Sequence, residues 1–260
     1  MKTVSVPGTG TQVAYDALGE GPGLALLHGT SLDPATNFGH VTQRLSARRR
    51  VITPEYGGCG LSTIPPGPLS LEVAVEQIAA ALGDAFDGPV DLVGESLGAV
   101  VAAATAARYP GLVRHLILVA GWASSADPRH QLVFGTWKRL QQLDCELANR
   151  YIMPLAISPA FLTELGDEAL VAWAGQPAPT CTAERIDLDL RIDLQGVLDR
   201  IQGKTLIIQG RDDQIIPDYQ TVLLRAHIPD ADHVVIPSGH AIFAERPDDV
   251  CELVNTFLSR

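Results

Sequence analysis

Residues 90–99 read VDLVGESLGA and constrain the fold of this 260-residue chain more than any other stretch. An apolar run leads into Gly94, Ser96 follows two residues later, and an alanine-rich helical pattern begins at once. A serine on so tight a strand-to-helix turn takes a strained backbone conformation, and glycines on both sides relieve the crowding. The following helix directs free N–H groups at this turn. By itself the Gly-x-Ser-x-Gly motif is equally compatible with a purely structural turn.

Short β-branched or leucine-rich runs predict eight strands, at residues 3–6, 11–17, 23–27, 50–53, 90–93, 116–120, 205–209 and 232–236. From the third run onward they are almost continuously apolar, which is typical of parallel strands covered on both faces, whereas the second alternates. Helical patterns lie between them, at residues 37–47, 71–85, 96–109, 219–227 and 247–259. We predict an α/β fold with an eight-stranded, mostly parallel, doubly wound sheet.

The alternation of strand and helix stops between residues 120 and 204. This stretch has helical patterns at 129–150 and 158–174, interrupting prolines, and all three tryptophans. Connections within α/β units are far shorter, so we interpret residues 121–203 as a helical cap inserted into a core formed by residues 1–120 and 204–260. Two ordinary crossover helices are the alternative interpretation.

Composition narrows the class of partner. The formal net charge of −11 disfavours nucleic acid and anionic membranes. No apolar run approaches the roughly 20 residues that a membrane span needs, and the N-terminus lacks a signal-peptide pattern. The four cysteines, Cys59, Cys145, Cys181 and Cys251, lack the spacing of a metal site or a disulfide framework. We predict a cytoplasmic protein that acts on a small molecule.

A serine nucleophile needs a histidine to accept its proton and a carboxylate to orient that histidine. Both residue types follow predicted strands further along the chain. The seventh strand precedes GRDDQIIP at residues 210–217, and the eighth precedes PSGHAIFAERP at residues 237–247. Because the carboxyl ends of parallel strands lie at one edge of a sheet, ligands in such folds bind there.

Four segments in order resemble the α/β-hydrolase superfamily, in the branch with a serine nucleophile and a helical cap after the sixth strand: LALLHGT (24–30), VGESLGA (93–99), GRDDQIIP and SGHAIFAERP (238–247). The resemblance extends from the second strand to the C-terminus. It implies that Ser96 is the nucleophile and that His240 is the general base and later the acid. It assigns the orienting carboxylate to Asp213, with Asp212 as the alternative.

The resemblance also implies an oxyanion hole, formed by the backbone N–H groups of Thr30 and Leu97. We place His28, Gly29, Trp122 and Trp137 beside the substrate, with hydrogen bonds from the His28 ring holding the turn. The resemblance implies no metal and no organic cofactor.

The implied reaction is hydrolysis of an ester, lactone or thioester of a medium-sized apolar molecule through an acyl-enzyme. A carbon–carbon bond hydrolase and a biosynthetic cyclase or thioesterase use the same residues and remain alternatives. A noncatalytic protein that holds a small ligand is a further alternative, because a fold does not guarantee activity.

Overall fold

The computed structural model describes residues 1–228 and 230–259. Its sheet consists of β1 (Lys2–Val6), β2 (Thr11–Leu18), β3 (Gly23–Leu27), β4 (Arg50–Glu55), β5 (Val90–Glu95), β6 (Val113–Val119), β7 (Lys204–Gly210) and β8 (Asp232–Ile236). The strand order is β1-β2-β4-β3-β5-β6-β7-β8. The pairs β1–β2 and β2–β4 are antiparallel, and every later pair is parallel. The predicted eight-stranded, mostly parallel sheet is confirmed.

Helices cover both faces of the sheet, as a doubly wound fold requires. The α-helices in the described residues are α1 (Pro34–Ser46), α2 (Leu71–Ala85), α3 (Leu97–Arg108), α4 (Pro128–Leu143), α5 (Cys145–Ala156), α6 (Pro159–Ala174), α7 (Thr182–Asp189), α8 (Asp218–His227), α9 (Ile242–Glu245) and α10 (Pro247–Phe257). Apolar side chains of α1 and α10 form one core with the sheet. Those of α2, α3 and α8 form a second core. None of the helices in the described residues is long and apolar enough to cross a membrane.

The start of α3 differs from the starts of α1 and α2. Asp33 caps α1 by accepting a hydrogen bond from the Thr36 N–H at 2.7 Å, and Ser70 caps α2 in the same way. Ser96 occupies the cap position of α3, but its side chain makes no capping hydrogen bond. The hydroxyl of Ser96 therefore points away from the helix that it begins.

Four helices, α4 to α7, form a helical cap between β6 and β7. The helical pattern predicted at residues 129–150 corresponds to two helices, α4 and the first half of α5, which are separated at Asp144. The carboxylate of Asp144 accepts a hydrogen bond from the Leu147 N–H at 3.1 Å and so begins a new helix. Gly166 bends α6 with a φ of +73°.

The end of α5 lies against the two loops that follow β7 and β8. The Leu155 carbonyl accepts a hydrogen bond from the Gln214 N–H at 3.1 Å. The Ala156 carbonyl accepts from the His240 and Ala241 N–H groups at 2.6 and 3.2 Å. The last turn of one cap helix thus fixes the backbone of both loops.

Candidate active site

Ser96 lies on the turn between β5 and α3, with φ 57° and ψ −122°. The turn is too crowded for side chains at its flanking glycines. A Cβ at Gly98 would lie 1.9 Å from the Leu27 carbonyl oxygen, and one at Gly94 would lie 2.1 Å from the Gly98 carbonyl oxygen. The two glycines therefore allow α3 to start against the end of β3, and this close approach sets the strained backbone at Ser96.

Three side chains from three loops form a continuous hydrogen-bonded chain. Nε2 of His240 lies 2.8 Å from Oγ of Ser96, and Nδ1 of His240 lies 2.8 Å from Oδ2 of Asp213. The other carboxylate oxygen of Asp213 accepts hydrogen bonds from the Ile215 and Ile216 N–H groups, both at 2.8 Å. Because its remaining partners are backbone donors, the carboxylate is held in one orientation, facing the imidazole.

Asp212, the alternative carboxylate, does not reach the imidazole. Its side chain is 40% exposed and lies 3.8 Å from the guanidinium of its neighbour Arg211, whereas the side chain of Asp213 is 1% exposed. The structure thus brings Ser96, His240 and Asp213 together and leaves Asp212 at the surface.

The surroundings of His240 define its tautomer and its basicity. With Nδ1 donating to Asp213, Nε2 is left to accept the hydroxyl proton of Ser96. Burial alone would lower the pKa of His240, but the negative charge of its partner Asp213 raises it above the ordinary value of 6.5. The imidazole is thus a stronger base than a free histidine.

The turn after β3 lies against Ser96. A Cβ at Gly29 would lie 3.5 Å from Cβ of Ser96. Nδ1 of His28 donates to the Gly29 carbonyl at 2.8 Å, which orients the peptide that joins Gly29 to Thr30. Among the described residues, no acceptor receives the Thr30 N–H or the Leu97 N–H. Both backbone donors predicted for an oxyanion hole are therefore available to a ligand.

Glu95, the residue before Ser96, joins this turn to the rest of the site, and no sequence pattern pointed to it. Its carboxylate accepts hydrogen bonds from the Asn37 amide and from the Phe243 N–H. Asn37 in turn accepts the Gly29 N–H at 2.8 Å. Burial raises the pKa of Glu95 above its usual range. This network ties α1, the serine turn and α9 into one support.

A cavity of about 540 Å³ opens onto Ser96 and His240. The cap contributes most of its apolar lining: Phe134, Trp137, Ile152, Met153, Ile157 and Trp173. Gly29 and Thr30 also line it. Among the described residues that line it, the acidic side chains are Asp33 and Glu95, and no lysine or arginine is present. The described lining is thus largely apolar and carries no permanently cationic side chain.

Two of the residues that we expected beside the substrate do not line this cavity. His28 is fully buried and stacks on Tyr56 at 4.5 Å, and burial lowers its pKa to about 3, so its ring is neutral. Trp122 is also fully buried, and its indole N–H donates to Ser125 at 3.1 Å. Both side chains are placed in the core by their size and by these partners, whereas Trp137 and Gly29 do reach the cavity.

The sequence model of the α/β hydrolase fold matches residues 26–247, most of the chain and all of the loops described above. The protein belongs to the α/β-hydrolase family. It is 34% identical over 257 residues to a pyrrolizixenacetamide deacetylase from Xenorhabdus hominickii. The matched region covers 95% of this chain and 94% of that protein. It is 29% identical to a 2-hydroxy-6-oxo-2,4-heptadienoate hydrolase from Pseudomonas putida, over 96% of this chain and 94% of that one.

Solved structures share the whole α/β-hydrolase fold. A thermophilic esterase from Thermogutta terrifontis superposes with a TM-score of 0.84 at 24% identity, covering 99% of this chain and 97% of that one. The enol-lactonase from Burkholderia xenovorans LB400 also gives a TM-score of 0.84, at 18% identity, with both chains fully covered. These similarities confirm the fold, and the curated relatives are hydrolases of different bonds.

Proposed function

We propose that the protein hydrolyses an ester, lactone or thioester of a medium-sized, apolar and uncharged small molecule through an acyl-enzyme on Ser96. The observation that carries this proposal is the hydrogen-bonded chain from Ser96 through His240 to Asp213, with both links at 2.8 Å. A serine hydroxyl is a weak nucleophile, and this arrangement is the one that activates it.

The proposed reaction has two stages. Oγ of Ser96 attacks the carbonyl carbon while Nε2 of His240 takes its proton, and the oxyanion accepts hydrogen bonds from the N–H groups of Thr30 and Leu97. His240 then gives the proton to the departing alcohol or thiol, which leaves the acyl group on Ser96. A water molecule, deprotonated by His240, attacks this acyl group and releases the acid and the free serine.

The charge of the cavity lining supports an uncharged substrate. Burying a carboxylate without a cationic partner costs several kcal/mol, on the order of the whole binding energy of a small ligand. The cavity lining offers acidic Asp33 and Glu95 and, within the described residues, no lysine or arginine. The P. putida relative is named for a substrate that is itself a carboxylic acid. For this chain we therefore place carbon–carbon cleavage of such acids behind hydrolysis of neutral acyl compounds.

Hydrolysis of an acetamide is the second candidate, favoured by the name of the X. hominickii deacetylase. The same residues serve this reaction, because His240 would protonate the departing amine as it protonates an alcohol. An N-acetylated ring compound is also neutral and apolar, as the cavity requires.

Labelling and turnover test this proposal together. We expect a fluorophosphonate probe to label the wild-type protein on Ser96 and to leave folded Ser96→Ala unlabelled. Nitrophenyl esters of increasing acyl length, and matched N-acetyl anilides, measure the preferred bond and size. A further pair of substrates measures charge selectivity: the acyl chain of one ends in a methyl ester, and that of the other ends in a free carboxylate. We expect kcat/KM to be at least about 100-fold higher for the neutral compound.

Folded wild-type protein that neither reacts with the probe nor turns over any compound would contradict an enzymatic role and favour the ligand-binding alternative. Preference for the carboxylate member of the pair would overturn the proposed substrate charge while leaving the nucleophile in place.

A further inference from the structure

Two buried side chains of the cap helix α7 hold Thr30 from one side. Oγ1 of Thr30 donates to Oδ2 of Asp189 at 2.7 Å, and Nε of Arg185 donates to the Thr30 carbonyl at 2.7 Å. Arg185 and Asp189 are both fully buried. Spaced four residues apart, they lie on the same face of the helix. Both the hydroxyl and the carbonyl of Thr30 are thus bonded to α7.

The guanidinium of Arg185 is itself held in place. Nη1 donates to the carbonyls of Gly57 and Thr180, at 3.5 and 3.0 Å, and Nη2 donates to Oγ1 of Thr182 at 3.2 Å. No described carboxylate lies within ion-pair distance of it. The planar guanidinium therefore links three backbone segments through hydrogen bonds at fixed positions, and it forms no salt bridge with a described carboxylate.

Asp189 is fixed at its backbone as well as at its side chain. Its carbonyl accepts hydrogen bonds from the Ser125 hydroxyl and from Nε2 of His130, the latter at 3.0 Å. Its second carboxyl oxygen, Oδ1, has no partner among the described residues. The single side-chain hydrogen bond of this buried carboxyl is therefore the one to Thr30.

We propose that Arg185 and Asp189 are positioning residues that hold Thr30 so that its N–H points at the oxyanion. This inference rests on the proposed acyl-transfer function. An oxyanion donor acts only from the correct position, and a displacement of about 1 Å costs on the order of 100-fold in rate. His28 orients the peptide that carries the Thr30 N–H, and α7 fixes the rest of the residue.

The experiment compares variants that remove or keep the bond between Thr30 and Asp189. We expect Asp189→Leu and Thr30→Val each to lower kcat about 10- to 100-fold, with KM changed less than about threefold. Asp189→Asn keeps an acceptor for the Thr30 hydroxyl, and we expect its kcat to stay within about threefold of wild type. Asp187→Asn, which changes the same helix at a residue bonded to Lys138 and Arg191, is the matched control.

Inhibitor binding separates positioning from a general loss of structure. A trifluoromethyl ketone forms an oxyanion when Ser96 adds to it, so its affinity should fall in the two disruptive variants by the same factor as kcat/KM. The double variant Thr30→Val with Asp189→Leu should lose no more activity than either single variant. If Asp189→Leu does not fold, Thr30→Val, which replaces the hydroxyl by a methyl group of similar size, carries the comparison alone.

Unchanged ketone affinity, or a loss confined to KM, would overturn the inference. The same holds for independent, additive losses in the double variant. Failure of the proposed function looks different, because wild-type protein would then not react with the fluorophosphonate at all.

Discussion

Asp213 meets His240 through one carboxylate oxygen while its other oxygen accepts two backbone N–H groups. An asparagine at this position cannot replace the carboxylate, because its two terminal atoms differ. In Asp213→Asn the two backbone N–H groups hydrogen-bond to the amide oxygen, so the NH₂ group faces Nδ1 of His240. Nδ1 must then accept a hydrogen bond, which places the imidazole proton on Nε2, the wrong tautomer for accepting the Ser96 proton. We expect kcat to fall about 10³- to 10⁴-fold.

Asp212→Asn is the neighbouring control for that prediction. Because its side chain is exposed and does not touch the imidazole, kcat should stay within about threefold of wild type. Steady-state kinetics of both purified variants check the pair, and a larger loss at Asp212 would reassign the carboxylate.

The rate should depend on pH through His240. The imidazole must be neutral to accept the Ser96 proton, so activity is lost as pH falls through its pKa. Since the Asp213 carboxylate raises that pKa above 6.5, the acid limb of kcat/KM should have its midpoint above 6.5. A pH–rate profile of the wild type measures this directly. A midpoint at or below 6.5 would show that the neighbouring charges do not act on the ring as described.

Gly98 should be intolerant even of alanine, since the added Cβ would lie 1.9 Å from the Leu27 carbonyl oxygen. Either β3 or α3 must move, and we expect Gly98→Ala to lower the free energy of unfolding by about 3 kcal/mol or more. Urea unfolding measures the change. Gly39→Ala is the control, because a Cβ there meets nothing within 4 Å and α1 gains helix propensity of up to about 1 kcal/mol.

Asp189 should make folding stability depend on pH. Burial raises its pKa from 3.8 to about 8, against the opposing effects of Thr30 and Arg185. The folded state therefore keeps a proton that the unfolded state has lost, and this contribution to stability disappears as pH rises through about 8. Asp189→Asn cannot titrate, so its stability relative to wild type should rise between pH 5 and pH 8 by on the order of 1 kcal/mol or more.

Urea unfolding of both proteins at the two pH values tests this prediction. Asp212→Asn, which changes an exposed carboxyl group, is the control. A difference between Asp189→Asn and wild type that stays constant with pH would mean that Asp189 is ionised in the folded protein throughout this range.

Local pattern predicted the sheet and the helices that cover it more closely than it predicted the cap. The helix at residues 71–85 was placed correctly, because an apolar stripe follows a capping Ser70 without interruption. In the cap, the short helix α7 was not predicted, and Gly166 and Asp144 interrupt patterns that look continuous in the sequence. Cap helices pack on each other and on loops, so their boundaries depend on contacts that periodicity does not encode.

The site divides in the same way. Ser96, His240 and Asp213 follow strands in short motifs, so the topology alone brings their segments to one edge of the sheet. Arg185 and Asp189 contact Thr30 although they lie 155 and 159 residues away from it in sequence, and no local spacing predicts such a contact. The large apolar or aromatic character of His28 and Trp122 fits a cavity wall and a core position equally well, and the structure puts both in the core.

The backbone bonds from Leu155 and Ala156 to the loops after β7 and β8 have a consequence for protein engineering. Exchanging the cap with that of a relative, in order to change what the enzyme accepts, would also exchange the supports of His240 and of Thr30. A chimaera that keeps this chain's residues 155–158 and 185–189 should retain turnover with a new substrate range. A chimaera in which these two stretches are also replaced by the relative's residues should bind its new substrate but turn it over slowly.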